Sequence, residues 1–300
     1  MTAATIVKAA PAPAPGEASA SAPAPASAPA AASASASAST TSQRIDSARH
    51  PAARRIGDVL RSRSEKPKVF VLDDPENIGQ AAASGIELDS LYATASTATR
   101  VAALASDYPD VPFHVLDDAV ARSLFGEQKH SRVFALAHAP RPPQLRDVIG
   151  MTGDIVVLDG VRLVGNIGAI TRTACALGAS GIVLLDSGLR TALDRRLIRA
   201  SRGLVFETPV ILANRTEFAD FVRREKLAVA TLEAHAVEPL SAIRRVPRRL
   251  VIALGGEREG VSSELDALTT YRYAIPMTPS VESLNVSVTA GIALYEHRPR

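Results

Sequence analysis

The 300-residue chain has a single cysteine, Cys175, and no tryptophan. One thiol excludes an intramolecular disulfide and any cysteine-based zinc cage, so a metal-free, cytoplasmic protein is expected. Aromatic residues make up 4% of the chain, too few for a sheet that stacks single-stranded bases. No run of eighteen apolar residues exists, so no membrane-spanning helix is expected. "TAATIV" is short and proline follows at once, which argues against a secretory signal. G-x-x-x-x-G-K-[ST] is absent, and "GNIGAI" lacks both the G-x-G-x-x-G spacing and its acidic partner. Neither a P-loop NTPase nor a nicotinamide enzyme is supported. The six histidines show no metal-like pairing, and no G-x-S-x-G elbow occurs.

What is present is unevenly distributed. Residues 1–43 are mostly Ala, Pro and Ser, a composition that cannot build a core and predicts a disordered tail. The net charge of +3 conceals a division. Residues 44–68 hold eight Lys or Arg against three Asp or Glu, whereas residues 69–300 sum to −2. The stretch 44–67 therefore reads as a basic arm suited to phosphates. Smaller arginine clusters recur at 190–202 and 244–249, which makes nucleic acid a reasonable partner.

Residues 68–139 alternate strand-like runs ("KVFVLD", "LDSLYAT", "SRVFALAH") with helical stretches and predict a small α/β domain. "APRPPQLRDVIGMTGD" marks a linker over about 140–152. From 153 to 300, nearly all-apolar strands alternate with helices, the pattern of a parallel sheet covered on both faces. Ligands of such sheets bind beyond the carboxyl ends of the strands. The loops there are "DGVRLVGNIG", "LEAHA", "GGEREG" and "MTPSVESLN".

Three stretches carry the candidate chemistry. In "NIGAITRTACALG", Ile167, Ile170, Ala174 and Leu177 form one helical stripe; Arg172 lies roughly 200° around from Ile170, away from that core. Asn166 is placed to cap this helix. "IALGG" runs a buried strand into Gly255, Gly256 and Glu257, a place for close approach of a ligand. In "SVESLNVSVTAGIALYEH", Leu284, Val288, Ile292 and Tyr295 predict a buried face, with Ser283 or Asn285 as cap. Ser283, Ser287 and Gly291 predict a second face of small residues.

"NIGAITRTACALGA", "IALGGEREGVSSEL" and "IPMTPSVESLNVSVTAGIALYE" together resemble the three motifs of the SpoU (SPOUT, TrmH-type) RNA ribose 2′-O-methyltransferases, in order and in spacing. Residues 45–300 are most similar to the thiostrepton/nosiheptide-resistance methyltransferases of that family, through "VVLDGVRLVGNIGAITRT", "DRRLIRASRG" and "SLNVSVTAGIAL". The resemblance implies an amino-terminal domain like ribosomal protein L30e and a dimeric methyltransferase domain with a trefoil knot. No sequence pattern would have suggested a knot, since knots are nearly absent from proteins. It also implies S-adenosylmethionine as methyl donor, in a pocket of Leu232, Gly255, Gly256, Glu257, Ile275 and Leu284. Asn166, Arg172, Arg202, Ser283 and Asn285 would surround the reacting centre. The implied substrate is an adenosine ribose in the GTPase-associated region of 23S rRNA, whose methylation blocks thiopeptides. Two alternatives are a SpoU enzyme of another rRNA or tRNA ribose and a non-catalytic RNA-binding relative.

Overall fold

The computed structural model describes residues 43–126, 131–256 and 259–298, without the side chains of 100–102. The expected tail, apart from Gln43, and Glu257 lie outside the described residues.

The first domain contains β1 (Gln43–Ile45), α1 (Pro51–Arg61), β2 (Val69–Asp73), α2 (Pro75–Ala83), β3 (Leu88–Thr94), α3 (Ala98–Asp107), β4 (Phe113–Leu116), α4 (Asp118–Phe125) and β5 (Val133–His138). Its strands lie in the order β1-β4-β3-β5-β2, with β5 antiparallel to both neighbours. The expected basic arm is not an arm. β1 pairs in parallel with β4, and α1 buries Ala53 and Ile56 in the same core as Tyr92 and Phe134. Three apolar anchors, Ile45, Ala53 and Ile56, are fully buried, enough to hold a segment whose arginines point outward.

The expected linker is also packed. Leu145 and Val148, in a 3₁₀ turn, are buried in the second domain's core. Arg249 donates to the carbonyls of Val148, Ile149 and Met151 and to Ser180 Oγ, tying off the end of that turn. Prolines shaped this joint without freeing it.

The second domain comprises β6 (Ile155–Asp159), α5 (Val164–Ala176), β7 (Gly181–Leu185), α6 (Arg195–Ser201), β8 (Val210–Ala213), α7 (Arg215–Arg224), β9 (Ala228–Leu232), β10 (Glu238–Pro239), β11 (Leu250–Gly255), α8 (Ser263–Asp266), β12 (Thr269–Ala274) and α9 (Val286–His297). Its seven strands are all parallel in the order β10-β12-β9-β11-β6-β7-β8. Val156 and Leu158 face one core and Ile155 and Val157 the other, so the sheet is buried on both faces. From β6 the chain winds outward to β7 and β8, then crosses to the opposite side for β9 to β12. The reversal falls between β6 and β11, and there a doubly covered sheet opens a crevice.

Two helix readings need correction. α9 begins at Val286 and buries Val286, Ala290, Ala293 and Leu294, whereas Val288 and Tyr295 are about half exposed (49% and 52%) and Leu284 precedes the helix. The helix is apolar nearly all round, so the spacing alone could not say which face packs inside its own chain. α5 begins two residues before Asn166, with Leu163 at its N-cap; leucine has no side-chain acceptor, so the helix has no side-chain cap, and Asn166, in the first turn, accepts from Asn285 instead. Its expected stripe is present, with Ile167, Ile170 and Ala174 buried, Leu177 half-buried and Arg172 exposed.

The two domains meet along β2 and α2 on one side and α6 on the other. Asp73, 3% exposed, accepts two hydrogen bonds from Arg195, each 2.8 Å, and the Arg195 guanidinium lies over the Phe125 ring. Ser84 and Gln80 bond Glu207 at the same joint.

Candidate active site

The switch point is built by two strand ends in register, Asp159 of β6 and Gly255 of β11. Gly256 N–H donates to the Asp159 carbonyl at 2.9 Å, and Gly256 and Gly260 form an antiparallel bridge. A Cβ on Gly255 would stand 2.0 Å from the Gly260 carbonyl carbon, so no larger residue fits under this loop. The loop is pinned from below by the Asp159 carboxylate, which accepts from Ser262 N–H and from Arg215 Nε, both at 2.8 Å. Its side chain is fully buried. Hydrogen bonding to Asp159 holds the Arg215 guanidinium above the usual arginine range. An acidic residue closing a wholly apolar strand was a legible signal for Asp159. Arg215 gave none, because its partner is 56 residues away.

Two hollows flank this loop. The first, about 640 Å³, lies beyond the ends of β9, β11 and β12 and is lined by Leu232, Gly255, Gly256, Ile275, Ser283 and Leu284. Five of the six expected cofactor residues thus converge; the sixth, Glu257, is outside the described residues. Apolar side chains opposite bare glycine backbone suit a flat heterocycle with polar edges, so these residues fit an adenosyl group. The second hollow, about 710 Å³, is lined by Arg162, Leu163, Asn166, Asp186, Arg215 and Glu264, among others. Gly256, Glu259, Gly260 and Val286 line both.

Asn166 lines the second hollow, and Asn285 sits in sequence between Leu284, which lines the first, and Val286, which lines both. Asn285 is the N-cap of α9, and its Oδ1 accepts from Ser287 N–H at 2.8 Å and from Ser287 Oγ–H at 2.6 Å. Its Nδ2 then donates to Asn166 Oδ1 at 3.3 Å, joining residues 119 positions apart. Capping and site geometry are one arrangement here. No histidine or cysteine lines either hollow, and among the described residues no cluster able to hold a metal is found.

The two remaining arginines are not brought in within one chain. Arg172 lies six residues beyond Asn166, about 9 Å along α5 and roughly 120° away around it, on the exposed face. Arg202, left-handed at φ 55°, ends α6 at the domain joint, with Nη1 3.5 Å from Glu76 Oε1. Sequence reading passed over Arg162, which reaches into the second hollow and pairs with Asp186 at 2.7 Å.

A cofactor crevice at the reversal of an all-parallel sheet, joined to a smaller α/β domain, defines an α/β group-transfer enzyme by class. Residues 42–151 match "Thiostrepton-resistance methylase, N terminus", and residues 154–295 match the "SpoU rRNA Methylase family". The 23S rRNA (adenosine(1067)-2′-O)-methyltransferase of Streptomyces laurentii is 40% identical over 251 residues, 83% of this chain and 93% of that protein. That of Streptomyces azureus is 38% identical over the same shares. The AdoMet-bound rRNA methyltransferase structure from Sinorhizobium meliloti superposes with a TM-score of 0.69 at 25% identity, covering 85% of this chain and 97% of that one. The chain belongs to the SpoU rRNA methylase family.

Proposed function

We propose that this protein transfers the methyl group of S-adenosylmethionine to the ribose 2′-oxygen of an adenosine in the GTPase-associated region of 23S rRNA, and so confers thiopeptide resistance. The observation that carries the reading is the adjacency of an adenosyl-sized hollow and a polar hollow that share Gly256, Glu259, Gly260 and Val286, with Asn166 of the second held by Asn285. S-adenosylmethionine would supply an already activated methyl group, so what falls to this chain is to hold the acceptor oxygen in line while the hydroxyl proton passes to solvent water. Asn285, fixed by its cap, and Asn166 orient the hydroxyl, and Ser283 closes the cofactor side. The adenosine target is supported by the two Streptomyces relatives.

Arg172 holds the target's phosphate and stabilises the developing alkoxide, since an ordinary arginine is a poor base. It does so for a second copy of the chain. Around Arg172 the outer face of α5 is Gly165, Ala169 and Ala176, and beside it α9 exposes Val288 and Tyr295. Small and apolar side chains around one arginine make a face for a homodimer, and pairing there would bring Arg172 to the partner's second hollow. Arg202 serves the RNA from the domain joint, and the 275–285 segment, which lines the first hollow together with Gly256 and Gly260, forms the trefoil knot. An enzyme of ribosomal RNA works in the cytoplasm.

Labelled methyl transfer to ribosomal RNA, followed by mapping of the modified ribose, tests the target; a product elsewhere refutes it. Arg172→Ala and Arg172→Lys, with adenosylmethionine affinity measured separately, test the site. Full turnover in both removes Arg172 from the mechanism.

A further inference from the structure

A third hollow, about 430 Å³, lies where the two domains join, between the 62–67 segment after α1 and the loop that leads into α6. Its floor is apolar, with half-buried Val59, Leu60, Val69 and Leu193. Its rim is cationic, but not every cation there is free. Arg195 is held by Asp73 and Arg196 by Asp194, which also caps α6. Two remain. Arg190 makes one long contact, Nη1 to the Arg63 carbonyl at 3.4 Å, and Arg63 has no side-chain partner among the described residues. Both are exposed, and they face one hollow from opposite domains.

Two uncommitted guanidinium groups above an apolar floor match a nucleotide, with its phosphate between the arginines and its base on the floor. The path from the site is short. Asp186 lines the second hollow and Arg190 follows four residues later, at most about 14 Å of extended chain. An RNA strand with its target ribose at Asn166 therefore reaches this cleft within a few nucleotides. We propose that the interdomain cleft binds the backbone phosphate and the unstacked base of an RNA nucleotide flanking the methylated one, with Arg63 and Arg190 as a phosphate clamp. This rests on the rRNA reading above and makes both arginines positioning residues.

The test uses the full-length chain with Arg63→Glu and Arg190→Glu together, and the paired Lys variants as rescue. Binding of an RNA fragment spanning the GTPase-associated region is measured over a series of salt concentrations. The charge reversal should weaken binding about tenfold or more at moderate salt. It should also reduce the slope of log K against log salt by about 1. KM for RNA rises in parallel, whereas kcat at saturating RNA and adenosylmethionine affinity stay at wild-type values. The Lys pair recovers the salt slope. RNA affinity and slope equal to wild type overturn the clamp, as does a loss confined to kcat and cofactor affinity. A wild-type enzyme that binds this RNA but does not methylate it defeats the target reading alone, because the clamp is judged on binding.

Discussion

His297, in the last turn of α9, is fixed on both sides. Its Nδ1 lies 2.7 Å from Asp154 Oδ2 and its Nε2 lies 3.1 Å from the Val246 carbonyl. A carboxylate and a carbonyl can only accept, so both ring nitrogens must donate and the folded state holds the imidazolium. The hydrogen bond to Asp154 accordingly raises the His297 pKa above its ordinary value. Both side chains are nearly buried, at 7% and 9% exposure. His297→Ala leaves Asp154 with Leu250 N–H as its remaining partner, at 2.7 Å. Removing one member of a buried pair costs about 3–5 kcal/mol. For a folded region of this size that is a fall in Tm of roughly 6–20 °C. Because the folded pKa is the higher one, the imidazolium's contribution is complete below the unfolded value of about 6.5. It is then lost as pH rises through the folded pKa. Thermal unfolding of wild type and His297→Ala between pH 6 and pH 9 should show a gap that is widest at pH 6 and narrows steadily. A gap of constant width would refute the imidazolium argument; no gap at all would refute the pair. Activity should follow stability, since α9 carries Asn285 at its other end.

Gly255→Ala places a methyl against Gly260 backbone, and calorimetry should find adenosylmethionine binding lost while the circular dichroism stays folded. Asp159→Asn keeps an acceptor for Ser262 but unpairs Arg215, so cofactor Kd should rise about tenfold as the loop loosens; unchanged affinity would mean that the loop holds itself. Val288→Glu on the exposed face of α9 should give a monomer by sedimentation with little loss in Tm, and a variant that stays dimeric moves the interface elsewhere. Asp73→Ala strands Arg195 at the domain joint and should lower Tm and raise KM for RNA, with cofactor affinity unaffected.

Much of the site could be read without coordinates because its three stretches are local. "IALGG" runs a buried strand into bare glycine backbone, "GNIG" lies in the first turns of α5 and "SVESLN" leads into α9, and residue chemistry within each short window marks it. What the sequence could not express was partnership. Asp159 and Arg215, His297 and Asp154, and Asn166 and Asn285 meet across 56, 143 and 119 residues, and nothing in the local pattern of either member names the other. The basic arm misled for the same reason. Its arginines were visible, but the pairing of β1 with β4 depends on a strand seventy residues on.

By itself, then, the sequence determined an α/β chain with a parallel sheet, the strand ends that carry its glycine-bearing and polar loops, and the residue types offered there. Period and composition are properties of short windows and need no partner. The tertiary structure alone decided which apolar face of α9 is inside and which is left exposed, and that Arg172 and Arg202 stand apart from both hollows of their own chain. It also decided that Arg63 and Arg190 share a cleft. Each of those outcomes is a distance between residues far apart in sequence, fixed only when the sheet order brings their elements together.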